Sequence, residues 1–518
     1  MQRALLIDEI IRHIFQGSLE DGLGTLNALA RSCRAWEGPA LDYLWTRLFS
    51  IAPLLHLIPS VQLVNGIYVL EQTNISPDLT RFHLYARRVK YIAHRQNVKV
   101  HPAILSLLTT ENGALAHPVA LLPSLRSAQI STSNCDIIQA CLSLSDKLAN
   151  LDLDLGFKSR GSHTSNEHIR QYLQEVVRIA PDLQRLSIRG SITQNLLGLV
   201  TSMRNLHTLS LRLGSSLTME VLLAVATFPN LSELELHAGH LDADDLSDAL
   251  RIQDLPVFPS LKILRMRAHT PVLELIINNI PADTLHTLRV EAEDPSGVSV
   301  AWSNIFKAIC YKAANTLQNL TLEHHIELDD VDIESAPSAD TLGPSPGASK
   351  TNTPIPFDDL KTLRSLRHLR HVVFDTTLPP AVSDEEMTTL VTAWPELRHL
   401  DIGTTLPSGQ AKLPTFLSLN ALATRAPKLE ALVMSADISG IESATILAAV
   451  PRQHALMRLT LACTSTSDPE QVARYLHRLF PSLIEVDGLP EREEEWGRIR
   501  DALQRLRLAS SPQALASL

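Results

Sequence analysis

The residues best equipped for chemistry in this sequence are its histidines, its cysteines and a group of arginines on alternating strand positions. His324-His325 and His368-x-x-His371 come nearest to a metal-ligand pattern. Neither has a cysteine or carboxylate at useful spacing along the chain, so both read as solvated imidazoles and no metal or cofactor is expected. His399 and Asp401 alternate on one expected strand and share its outward face, a spacing that usually means a hydrogen bond. No Gly-x-x-x-x-Gly-Lys, His-Glu-x-x-His or Gly-x-Ser-x-Gly occurs, so phosphate-loop, zinc-protease and serine-hydrolase chemistries lack their motifs. The chain is not expected to be an enzyme.

Binding is the alternative, and strand parity says which residues would do it. If Leu234 and Leu236 point inward, then Glu233, Glu235 and His237 point out. On the neighbouring strands the outward set includes Arg265, Arg267 and Arg289. These three form the candidate patch for a protein substrate. Cross-strand pairing with glutamates, worth about 0.2–1 kcal/mol per pair, would explain the same charges without a ligand.

The elements that hold those residues are set by a repeat. Phe228-Pro229-Asn230-Leu231-Ser232-Glu233-Leu234-Glu235-Leu236 is one copy of a phrase with leucine-like residues at spacing three, then two. It recurs from Leu125/Ala128/Ile130 to Leu456/Leu459/Leu461, with Leu483/Val486 as a weaker last copy. Copies lie 23 to 35 residues apart, except for one gap of 52. Ala180-Pro181, Phe228-Pro229, Phe258-Pro259, Trp394-Pro395, Ala426-Pro427 and Phe480-Pro481 close the intervening helices, because proline cannot continue one. Thr164, Ser383, Ser439 and Ser467, each followed three residues later by glutamate, have the capping-box spacing for helix starts. Units this short, alternating strand and helix, predict a parallel sheet inside and helices outside. Arg87-Arg88-Val89-Lys90-Tyr91-Ile92 is expected to be the first strand.

The 518 residues are 45% hydrophobic and 20% charged, with only 4% aromatic, as suits a core of aliphatic ladders. The net charge of −10 is concentrated rather than spread. Residues 323–359 carry nine acidic side chains against Lys350 alone. Within them, 329–353 reads as a disordered insertion rich in Asp, Ser, Pro and Gly. The following Leu360 to Arg370 is expected to be a helix bearing Lys361, Arg364, Arg367 and Arg370. No broad basic face for nucleic acid emerges, and no apolar run is long enough to span a membrane. Five cysteines without a Cys-x-x-Cys suggest neither disulfides nor zinc. An intracellular location, cytoplasmic or nuclear, is expected.

Residues 1–50 differ in style. Apolar positions at 6, 7, 10, 11, 14 and 15 mark one helix. Leu26, Leu29, Ala30, Cys33 and Trp36 mark a second, which Gly38-Pro39 should end. Leu41, Leu44, Trp45 and Leu48 mark a third, Ala40–Phe49. A mostly helical bridge over 51–84 is expected to follow, then repeats over 85–490. An amphipathic helix with Trp496, Ile499, Leu503 and Leu506 on one face closes 491–518 as a cap.

The repeat resembles the leucine-rich repeat, Leu-x-x-Leu-x-Leu, but lacks the regular asparagine after the strand. Its turns must therefore be held by backbone and loop contacts, giving an irregular solenoid. Residues 5–49 resemble the F-box of fungal F-box and leucine-rich-repeat proteins. Leu6-Ile7-Asp8-Glu9-Ile10 matches the opening Leu-Pro-x-Glu-Ile with Ile7 for proline; Ala30–Trp36 matches the Val-Cys-Arg-x-Trp helix, and Leu44-Trp45 the closing Leu-Trp. The resemblance implies a substrate-recognition subunit of a cullin–Skp–F-box ubiquitin ligase, acting as a monomer within a hetero-complex. The Skp adaptor would dock on Leu6, Ile7, Ile10, Ile14, Cys33, Trp36, Leu44 and Trp45. A stand-alone leucine-rich-repeat scaffold, with the first helices serving only as a solenoid cap, is the alternative.

Overall fold

The computed structural model describes residues 7–17, 22–71, 77–95, 97–110, 120–131, 143–157, 163–192, 194–213, 217–252, 257–294, 300–325, 354–405, 413–438, 455–463 and 468–510. The acidic insertion expected over 329–353 lies outside them. The chain divides into two compact units, Met1–Leu231 and Ser232–Leu518. Each is a stretch of α/β leucine-rich-repeat solenoid, with one strand per repeat joined in parallel to the next.

In the first unit, helices Asp8–Gly17, Leu23–Ser32 and Arg34–Thr46 lead directly into strand β1 (Arg47–Leu48). β2 (Val61–Val64) and β3 (Ile67–Leu70) follow, then β4 (Tyr91–Ala93), β5 (Lys99–Val100), β6 (Ser127–Ser131), β7 (Asn150–Gly156), β8 (Arg185–Gly190) and β9 (Thr208–Arg212). The sheet order is β1-β4-β6-β7-β8-β9. Three expectations are corrected here. The second helix stops at Ser32, because Cys33 is extended (φ −158°, ψ 157°), and the third runs from Arg34 straight through Gly38-Pro39. Trp36 and Leu44 on that third helix pack on Ile11, Phe15, Leu26 and Ala40, and this packing outweighs the local cost of Pro39. The first strand is not Arg87 to Ile92 but Arg47–Leu48, whose residues pair with Tyr91 and Ile92 of β4. Finally, the bridge is not mostly helical. β2 and β3 form an antiparallel hairpin joined by Asn65-Gly66, both with positive φ (52° and 78°), the backbone a two-residue type I′ turn requires.

The second unit holds β10 (Glu233–His237), β11 (Ile263–Ala268), β12 (Thr287–Ala292), β13 (Asn319–His324), β14 (His371–Thr376), β15 (His399–Asp401), β16 (Ala431–Ser435), β17 (Arg458–Ala462) and β18 (Glu485–Gly488), hydrogen-bonded in that order. The leucine positions of the phrase are buried throughout, Leu231, Leu234 and Leu236 at 0–1% exposure. A fully buried leucine contributes about 2 kcal/mol, so each triplet is a large part of what holds its repeat. Leu360 to Arg370 is not one helix: a turn of α-helix, Phe357–Leu360, passes into the 3-10 helix Lys361–Ser365. The C-terminal helix Glu493–Ser510 buries Trp496, Ile499 and Leu503.

The missing asparagine ladder is replaced by main-chain groups. The carbonyl of the residue just before a strand accepts two amides from the next repeat. Lys262 O takes His286 N at 2.8 Å and Thr287 N at 3.1 Å. Gln318 O does the same for Arg370 and His371, Arg370 O for Arg398 and His399, and Arg398 O for Glu430 and Ala431. In the first unit Lys90 O binds Arg126 and Ser127 in the same way. The X-Pro helix ends form tight turns in which the first leucine donates back three residues, as from Leu261 to Phe258 and from Leu397 to Trp394.

Side chains tie helix starts together as well. Ser383 forms the expected capping box with Glu386. The Asp384 carboxylate accepts from Thr415 N and Thr415 Oγ1, each at 2.8 Å, and from Ser418 N at 3.0 Å, capping the following repeat's helix. For the last repeat helix, Pro469–Leu479, the cap is Asp468, one residue beyond the expected Ser467, which lies outside the described residues with Ser439. An acceptor at Asp468 reaches Glu470 N at 3.0 Å, the same job one position along.

Candidate protein-interaction site

Helix Asp8–Gly17 divides its apolar residues between two faces. Ile11 and Phe15 are buried, 3% and 1% exposed, in the core of the helical module. Ile7, Ile10 and Ile14, at spacing three then four, are 47%, 39% and 44% exposed and so form a stripe along one edge of that buried face. Leu6 lies outside the described residues. The remaining residues of the expected docking set play a different part. Trp36 meets Phe15 edge-on, ring centroids 5.9 Å apart, and Leu44 packs on the same core. Trp45 lies against Tyr85 at 4.6 Å. Cys33 is half-buried at the helix break. Asp42 receives Arg12 at 3.1 Å and also Arg88, and Lys90 N donates to Thr46 O at 3.0 Å. The three helices are thereby fastened to the first repeats by aromatic, ionic and main-chain contacts.

The second unit's open sheet face carries the arginines that sequence parity singled out. The register aligns Glu235 with Arg265 and Arg289, and His237 with Arg267 and Glu291. Each arginine has a carboxylate partner: Arg265 binds Glu233, and Arg267 reaches Glu293 at 2.6 Å and Glu291 at 3.4 Å. Arg289 binds Glu323 with two nitrogens, Nη2 to Oε2 at 3.0 Å. The guanidiniums of Arg267 and Arg289 are held above their ordinary pKa chiefly by hydrogen bonds to Glu293 and Glu323. The patch is therefore a row of ion pairs, not a set of bare cations.

Further along that face, Asn319 Nδ2 donates to Thr287 Oγ1 at 2.9 Å, and Asn319 Oδ1 lies 2.7 Å from His371 Nδ1. His371 and His399 sit side by side on paired strands, ring centroids 6.2 Å apart. Burial lowers the pKa of both imidazoles and raises that of Asp401, which also accepts from Gly403 N at 2.9 Å. His399 and Asp401 share a face as expected, and Asp401 bonds the backbone. This polar row came from strand register, and only the alternation within each strand was readable beforehand.

No family model matches the sequence, and no curated protein matches it. Similar solved structures include an internalin (inlF) from Listeria monocytogenes str. 4b F2365, 11% identical over 90% of this chain and 94% of that one, TM-score 0.32. A chain of the yeast Rad7 and Elc1 complex is 13% identical over 68% and 76%, TM-score 0.29. The leucine-rich-repeat-containing protein LegL7 from Legionella pneumophila is 14% identical over 61% and 92%, TM-score 0.31. At these values the likenesses carry no functional argument. Among the described residues no helix is long and apolar enough to cross a membrane.

Proposed function

We propose that this chain is a substrate-recognition subunit of a cullin–Skp–F-box type ubiquitin ligase, binding the Skp adaptor through its first helices and a protein substrate through its repeats. The observation that carries the reading is the Ile7/Ile10/Ile14 stripe. Three large aliphatic side chains in one exposed stripe, beside a well-formed core, are the kind of surface a helical partner covers. Trp36 and Leu44 pack on the core that holds this helix in place. The ligase chemistry belongs to other subunits, and the repeats' open face, with its ion-pair row, is the substrate side.

A second reading has its own support. The contacts of Asp42 with Arg88, Trp45 with Tyr85, and β1 with β4 make the three helices a cap on the repeats. A stand-alone protein-binding scaffold would need nothing more.

Capture of a purified Skp-type adaptor by the full chain separates the two. Ile10→Asp with Ile14→Asp alters only exposed positions, so retention should fall at least tenfold while the circular-dichroism melt is unchanged. Trp36→Ala is the wrong probe, because it removes a core contact. A wild-type chain that retains no adaptor would sink the ligase reading and leave the scaffold.

A further inference from the structure

His325 was set aside in the sequence for want of carboxylates nearby, and the fold supplies them from two strands. Glu323 precedes it by two residues on β13, and Asp375 lies beside Glu323 in register on β14. The ligand atoms of Glu323, His325 and Asp375 all fall within 4.8 Å of one another. His325 Nε2 is 3.9 Å from Asp375 Oδ2. Glu323 is buried at 6% exposure, whereas the other two are exposed.

The charges around the group are unevenly settled. Along this row of the sheet Glu291 is answered by Arg267, and Glu323 by Arg289. Asp375 stands next to Glu323, and Asp401 adds to the negative field about it. Among the described residues its ion-pair partner is His325, which offers a charge only when protonated. Like charges directly opposite on adjacent strands repel, and a cation between them removes that repulsion. Arg289 already donates to both oxygens of Glu323, so a metal would share that carboxylate with it. It grips Glu323 from the β12 side, the way an outer-shell partner orients a ligating carboxylate.

The geometry points to a divalent transition-metal site formed by Glu323, His325 and Asp375. One imidazole nitrogen and two carboxylate oxygens suit zinc, and three protein ligands leave a coordination position open. The nitrogen donor disfavours magnesium and calcium, which take oxygen. The ion would tie β13 to β14 across the longest connection in the repeat array. The site does not depend on the ligase reading.

Chelator-treated full-length protein, titrated with zinc ion against a chromophoric chelator, tests this. One equivalent should bind, and His325→Ala or Asp375→Asn should each weaken it at least tenfold. His368→Ala, at an exposed imidazole elsewhere, should leave it unchanged, as should millimolar magnesium or calcium. Thermal melts of each variant without metal show whether it folds, and zinc should raise the wild-type Tm but not that of the double variant. No saturable uptake would overturn the site. So would several equivalents that neither variant alters, the mark of adventitious binding at scattered histidines.

Discussion

Arg289 on β12 meets Glu323 on β13 through two guanidinium nitrogens, and the partners differ in their access to water. The arginine side chain is 55% exposed, the glutamate 7%. The carboxylate is the member that depends on the pair. Arg289→Ala should cost about 1–3 kcal/mol, discounted from a fully buried pair because the cation is half in water. Glu323→Gln added to it should recover part of that loss. Urea unfolding of the two single variants and the double, in chelator, measures the coupling. Additive losses would mean that the bond contributes nothing.

Gly488 ends β18 directly beneath the indole of Trp496, where a Cβ would overlap the ring. Gly488→Ala should therefore push the C-terminal helix off the last repeat, at about 1–3 kcal/mol. Trp496→Ala should cost about 3–5 kcal/mol. Hydrogen exchange over Glu493–Ser510 reads both, and exchange unchanged in G488A would show that the helix shifts freely.

His94 is buried at 5% exposure, its Nε2 3.1 Å from Ser143 Oγ, and burial lowers its pKa to about 4. An unfolded chain binds that proton near pH 6.5. Between those values the unfolded state holds more protons, so stability is lost as pH falls through the window. The group's share is about 3 kcal/mol by pH 4. Denaturation midpoints at pH 7 and pH 4.5 should differ less in His94→Gln than in the wild type. An equal difference would place the acid sensitivity elsewhere.

The leucine phrase was legible because burial imposes one spacing on every copy, and Leu234, Leu320 and Leu459 all point where that spacing puts them. Less visible were features decided by competition. Asn65-Gly66 between Val61–Val64 and Ile67–Leu70 carries its hairpin signal in two residues only. Gly38-Pro39 looked like a stop, yet packing of Ala40 and Leu44 carried the helix through it. Strand parity placed Arg265, Arg267 and Arg289 on one face. It raised cross-strand pairing with glutamates but could not say which, because partners 24 to 34 residues away meet only through register. His325 and Asp375 lie 50 positions apart and were hidden for the same reason.

The doubled amide contacts to Lys262, Gln318, Arg370 and Arg398 carbonyls use atoms that every residue but proline possesses. A turn held by asparagine side chains forbids substitution at those positions; one held by carbonyls does not. Along the second unit the position before the strand is Ser232, Lys262, His286, Gln318, Arg370, Arg398, Glu430, Met457 and Ile484, spanning hydroxyl, cation, amide, anion and aliphatic. This rim is open to mutational drift. New partner preferences can be written there one residue at a time, with the fold left indifferent to each change.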